Sequence, residues 1–155
     1  MLNGTFGWPY ETSLAMGRLV FGGVLEKYPG LKIITHHCGA MVSYLEQRII
    51  QFYDAHEMYY GDKYNLGMPK SPISYFKMFY NDTALYGNTP ALMLGYAFFG
   101  RDHLLFGCDV PYGDSQLGFR NYRQTINAIE EMNISEADKK KIYEEDARNL
   151  LNLPI

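Results

Sequence analysis

The chain has 155 residues, 47% of them hydrophobic and 20% charged, enough for a single domain, residues 1–155, that buries about 70% of its extended-chain surface. That composition excludes disordered, collagenous and disulfide-scaffold classes. With 14 Lys+Arg against 17 Asp+Glu and a net charge of −3, there is no basic excess to displace counterions, so neither nucleic acid nor a membrane surface is an expected partner.

Met1 to Pro9 lacks the basic and unbroken apolar regions of a secretory signal. Pro9 suits the first turn of a helix that carries Leu14, Phe21, Val24, Leu25 and Tyr28 largely on one face and ends at Tyr28-Pro29-Gly30. Leu31 to Thr35 reads as a short buried strand leading into the polar run Thr35-His36-His37-Cys38-Gly39. Val42, Leu45, Ile49, Phe52 and His56 recur at spacings of three and four, which predicts an amphipathic helix over Met41 to His56, laid on one side of a core. Gly61 to Pro72 has the composition of a loop, and a second strand is expected from Lys77 to Asn81. Thr89 as N-cap and Pro90 at the first helical position open a helix that Gly100 closes. A third strand, His103 to Cys108, must end at Asp109-Val110-Pro111, because proline cannot continue a ladder. Phe119, Tyr122, Ile126 and Ile129 mark the core face of the next helix, Ser135 and Asp138 make a capping-box-like start for Glu136 to Glu144, and a last short helix covers Ala147 to Leu151. The longest apolar stretch, Ala91 to Phe99, falls far short of the roughly 20 residues a membrane span needs.

Alternation of helix and strand predicts an α/β fold of parallel strands with functional groups at the strands' C-terminal ends. Of the four histidines, His36 is the candidate reactive group. His37, its neighbour on a strand, is expected to face away, and Cys38 to return to the His36 side. His56, on an apolar stripe, and His103, at the N-terminal end of a strand, are expected to be structural. His36 at one strand end and Asp109 at another could serve a metal or move protons, since imidazole and carboxylate do both. The alternative is a hydrogen-bonded core histidine and an Asx-type turn cap. A thiol site at Cys38 is a third option, against which stands the buried, inert cysteine. With only Cys38 and Cys108 there is no disulfide framework, and a cytoplasmic protein is the simpler expectation.

Trp8-Pro9-Tyr10-Glu11-Thr12-Ser13, Leu31 to Gly39, and Leu105-Phe106-Gly107-Cys108-Asp109-Val110-Pro111, in this order and spacing, resemble the C-terminal half of amidohydrolase-related proteins of the aminocarboxymuconate-semialdehyde decarboxylase type. The resemblance implies a partial (β/α)8 barrel whose three parallel strands are equivalent to the last three of eight. It also implies metal-dependent chemistry, either non-oxidative decarboxylation or hydrolysis of small carboxylated substrates. Carried over, it makes His36 the catalytic histidine and Asp109 the metal-binding aspartate, with Phe6 and Trp8 in the segment lining the substrate pocket. It gives no role to His37 or Cys38, and makes Asp82 structural.

A closed barrel of this kind takes about 250 residues, and the family's other metal ligands, which lie on its first strand and after its fifth, are not in this chain. A catalytic zinc, the metal the resemblance favours, needs three protein ligands and an open position, so the lone chain is expected to be incomplete and, on its own, without bound metal. Its open sheet edges call for a complementary N-terminal half, a second copy of itself, or a shortened layer sealed by its own helices. The rival expectation is a non-catalytic remnant that acts as a self-associating module.

Overall fold

The computed structural model describes residues 1–64, 67–112 and 115–154. Helix α1 (Trp8–Phe21) follows one π-type turn, and α2 (Val24–Lys27) follows it across Gly22-Gly23. Gly23 sits at φ 71°, a conformation open to glycine, and this splits the helix expected to run unbroken to Tyr28. Strand β1 (Ile34–Thr35) gives way to a short turn of 3₁₀ type at His37–Gly39. The following helix, α3 (Glu46–Tyr64), starts later and ends later than the apolar spacing predicts, and α4 (Pro72–Phe76) begins where the expected loop ends. Of that loop, residues 65 and 66 lie outside the described residues.

Strand β2 (Tyr80–Asp82) leads to α5 (Thr89–Phe99). The cap of α5 is one residue earlier than expected: Asn88, not Thr89, accepts from the Ala91 N–H, at 3.2 Å. Strand β3 (Leu104–Leu105) is followed by α6 (Ser115–Glu130), α7 (Glu136–Lys140) capped by Ser135, and α8 (Asp146–Leu151). The core face of α6 is formed by Asn121, Thr125, Ala128 and Ile129, whereas Phe119 and Tyr122 are exposed. Small and medium side chains let this helix approach closely, and Tyr122 leans edge-on against Phe106 instead of entering the core.

The strands form one parallel sheet in the order β1-β2-β3, with Ile34 beside Tyr80, Thr35 beside Asn81, Asn81 beside Leu104, and Asp82 beside Leu105. Strand alternation gives the sheet two unlike faces. Thr35, Asn81 and Leu104 point to the helices and are buried, and Thr35 Oγ donates to Asn81 Oδ1 at 2.5 Å. The core on that side gathers Met16, Val20, Leu92, Phe98, Phe99, Ile129 and Ile142. The opposite face carries Ile34, which is exposed, then Tyr80 stacked on His103 at 4.6 Å, and beyond them His36 and Asp82. That face corresponds to the inside of a barrel; Ile34 and His36 on it are exposed, Tyr80, Asp82 and His103 half-buried, and Leu105 buried. Helices packed on one side of three short parallel strands make three β/α units of a (β/α)8 architecture, as the resemblance implies.

Candidate active site

The chain leaves extended backbone at three neighbouring points, after His36, after Asp82 and at Asp109. Among the described residues, six non-glycine residues have positive φ, and five of them, His37, Cys38, Ala40, Tyr86 and Asp109, lie just beyond the C-terminal ends of the strands. Such conformations cost energy and persist where surrounding contacts enforce them. Close packing enforces them here. A Cβ on Gly39 would strike the Phe99 ring, one on Gly95 would strike the Cys38 sulfur, and one on Gly107 would come within 2.9 Å of the Asp82 Cβ. Thr83 ties two of the loops together, its Oγ donating to Gly107 O at 2.9 Å while accepting from Gly107 N–H at 3.1 Å.

His36 keeps extended backbone (φ −81°, ψ 157°), so its ring projects from the open face of the sheet, where its Nδ1 lies 3.1 Å from Asp82 Oδ2. The imidazole is 78% exposed and the carboxylate only 14%: a fixed base holding a ring free to meet a ligand. Asp82 is itself held, because its Oδ1 accepts from the backbone N–H groups of Ala84 at 3.0 Å and Cys38 at 3.4 Å. A carboxylate facing Nδ1 fixes the ring as the Nδ1–H tautomer when neutral and leaves Nε2 to exchange protons. Asp82, expected to be structural, is therefore also the orienting partner of His36.

His37 departs from the alternation expected of a strand. Its φ of 54° ends the extended run and turns the ring into a cleft, where Nδ1 meets Ala84 O at 2.9 Å and the ring lies 6.0 Å from those of both His36 and Tyr86. The same turn drives Cys38 into the core, not to the side of His36. Only 2% exposed, its thiol is pushed up to about 12 by burial and then by the Asp82 charge, which removes it as a nucleophile.

Asp109 accepts from the Tyr86 hydroxyl at 2.7 Å. Burial first, and this hydrogen bond second, raise the Tyr86 phenol well above its ordinary value, so it stays protonated as the donor. Contacts thus run from Asp82 through His36, His37 and Tyr86 to Asp109, and the two residues singled out from sequence stand on one rim of the molecule. Beside them opens a cleft of about 470 Å³, lined by Trp8, Pro9, His37, Leu85, Tyr86 and Tyr112 among others, with Trp8 and Tyr112 edge-to-face at 5.8 Å. Phe6, 67% exposed, is not among its lining residues.

The two histidines expected to be structural lie away from this rim. His103 Nδ1 meets Phe79 O at 2.9 Å beside the start of β3. His56 rests against Tyr60, with its Nδ1 3.6 Å from Glu57 and in no hydrogen bond. Among the described residues no three His, Cys, Asp or Glu side chains come close enough to hold a metal ion. Asp109 has one oxygen engaged by Tyr86, and the donor set of the described residues does not by itself make up the three protein ligands of a catalytic divalent cation. Asp82, His37, Tyr86 and Tyr112 were not legible as site residues. Only the position of Asp82 at the end of an apolar run hinted at its place.

A family model described as amidohydrolase matches residues 1–153. The 6-methylsalicylic acid decarboxylase of Penicillium expansum is 33% identical over 129 residues, covering 81% of this chain and 38% of that protein. The gamma-resorcylate decarboxylase of a Polaromonas species is 31% identical over 154 residues, covering 99% of this chain and 44% of the relative. The chain therefore spans less than half the length of these relatives. Among solved structures, a Polaromonas dihydroxybenzoic acid decarboxylase with bound manganese and the inhibitor 2-nitroresorcinol superposes with a TM-score of 0.77 at 31% identity, over 97% of this chain and 43% of that one. IDCase of Metarhizium anisopliae in its apo form shares the fold, at 24% identity and a TM-score of 0.82 over 97% of this chain and 42% of that one.

Proposed function

This chain belongs to the amidohydrolase family, and from that premise we propose that it forms the proton-transfer side of a decarboxylase site for small carboxylated aromatic substrates, incomplete until another polypeptide covers its open sheet. The observation that carries the reading is the His36–Asp82 pair at 3.1 Å, one loop away from Asp109 held by Tyr86. Non-oxidative decarboxylation exchanges CO2 for a proton on carbon, so the site must hold a proton and release it at one point. His36, kept by Asp82 in a single orientation and exposed beyond it, is the group placed to do so. Asp109 is the carboxylate available to a divalent cation, zinc on the sequence reading, manganese by analogy with the Polaromonas enzyme. The described residues supply no full ligand set around it, so on this reading the remaining ligands come from the rest of the barrel. Trp8 lines the substrate cleft, and Phe6 contributes only if the covering polypeptide draws it in. The complementary half or second copy would seat on the face carrying Ile34. Two unpaired thiols, Cys38 and Cys108, suit a cytoplasmic setting.

The test is CO2 release from 2,6-dihydroxybenzoate by the assembled protein. His36→Asn should lower turnover about 10²- to 10⁴-fold while leaving assembly intact, and unchanged turnover in that variant would remove the assignment.

A further inference from the structure

His37 is not used by the reading above, yet its geometry is more constrained than that of His36. Its Nδ1 faces the carbonyl of Ala84 at 2.9 Å, and a carbonyl can only accept, so Nδ1 carries the hydrogen. In the neutral ring Nε2 is then a bare lone pair. Ala84 is buried at 1% exposure, which anchors the ring, and His37 lines the aromatic cleft together with Trp8, Tyr86 and Tyr112. The ring planes of His37 and Tyr86 are inclined at 39°. A cleft of about 470 Å³ lies within the roughly 300–1,000 Å³ of small-molecule sites. The phenol of Tyr86, one of the polar heads on this wall with those of Trp8 and Tyr112, is engaged with Asp109, and His37 Nε2 faces the cleft as an acceptor.

We propose that His37 is a specificity-determining residue: its Nε2 accepts a hydrogen bond from a hydroxyl borne by an aromatic ring held between Trp8, Tyr86 and Tyr112. A ring without that hydroxyl leaves the acceptor desolvated and unpaired, and such a group discriminates against the analogue lacking the donor. The inference rests on the proposed function only in taking the ligand to be aromatic; it needs neither His36 nor a metal.

The experiment uses the full chain labelled with ¹⁵N, with phenol and anisole as probes. In the free protein the neutral His37 ring should show a protonated Nδ1 and a bare Nε2. Phenol should shift the Nε2 resonance and bind about five-fold or more tightly than anisole. His37→Asn, which suits the left-handed backbone at this position, should bring that ratio near one, with circular dichroism confirming the fold. A protonated Nε2 in the neutral free ring, equal affinities in the unsubstituted chain, or absence of binding by both probes would each overturn the proposal without any variant being made. None of these outcomes touches the turnover of His36→Asn, so the two readings fail separately.

Discussion

Asp82 serves two masters, a histidine ring and two backbone N–H groups, and substitutions there separate the roles. Asp82→Asn can keep its oxygen toward Ala84 and Cys38 but presents an amide N–H₂ to His36, so the ring must exchange its Nδ1–H tautomer for Nε2–H. Ring ¹⁵N shifts should record that exchange in the folded protein, and turnover of the assembled enzyme should fall by about 10²-fold or more. An unaltered tautomer would mean that Asp82 does not orient His36. Cys38 gives a second residue-level expectation. Its folded thiol is pushed up to about 12 from an ordinary 9.0, so the folded state holds its proton where the unfolded chain has lost it. The linked stability is fully present below pH 9 and is lost as pH rises toward 12. Thermal melts across that range should fall less steeply in Cys38→Ala. In native protein a thiol reagent should modify Cys108, which is partly exposed, and spare Cys38 until the chain unfolds.

Elements were legible where local chemistry decides them, and misjudged where packing does. Strand β3 stops at Leu105, short of the Cys108 expected, whereas Pro90 and Gly100 bracket α5, so that helix could be read directly. The αL turn at His37 and Cys38 could not, because no glycine stands there to announce it; it is enforced by Gly39 against Phe99 and by Gly95 against Cys38, contacts made across about 60 residues of sequence separation in the latter case. The alternation rule therefore carried His37 to the wrong face and Cys38 to the wrong environment. For the same reason Tyr86, beside its own positive-φ glycine, gave no sign that it would reach Asp109. Gly95→Ala tests the packing directly. Its Cβ would collide with the Cys38 sulfur, so a loss of about 1–3 kcal/mol is expected in denaturant unfolding. Adding Cys38→Ala should recover much of it, since the Cys38 Cβ would lie at 3.7 Å, ordinary contact. Equal stability of the single variant and the unsubstituted chain would show that α5 and the His37 turn are not in contact.

At the scale of the whole molecule, the sheet has a helical side that is well buried and an opposite side on which Ile34 is 49% exposed. A second uncovered surface lies along α1 and α3, where Phe21, Leu45, Ile49, Phe52 and Tyr53 line an open groove of about 490 Å³. Of the stripe read from sequence as facing a core, Val42 is buried and Ile49 packs against the core, while Leu45, Phe52 and His56 line this groove, with Phe52 61% exposed. Apolar surface of this kind marks a site of association, and the site chemistry has the same shape: an oriented histidine, a held carboxylate and, among the described residues, too few ligands for a metal. On the proposed reading both deficits are met by one addition, a partner that closes the sheet and brings the remaining ligands. Native mass spectrometry with metal analysis on the assembled protein tests this most directly. The expected result is a chain of 17.8 kDa that holds no stoichiometric divalent metal alone, and a larger assembly that holds it and loses it on Asp109→Asn. A monomer carrying a full equivalent of metal that Asp109→Asn leaves in place would contradict it.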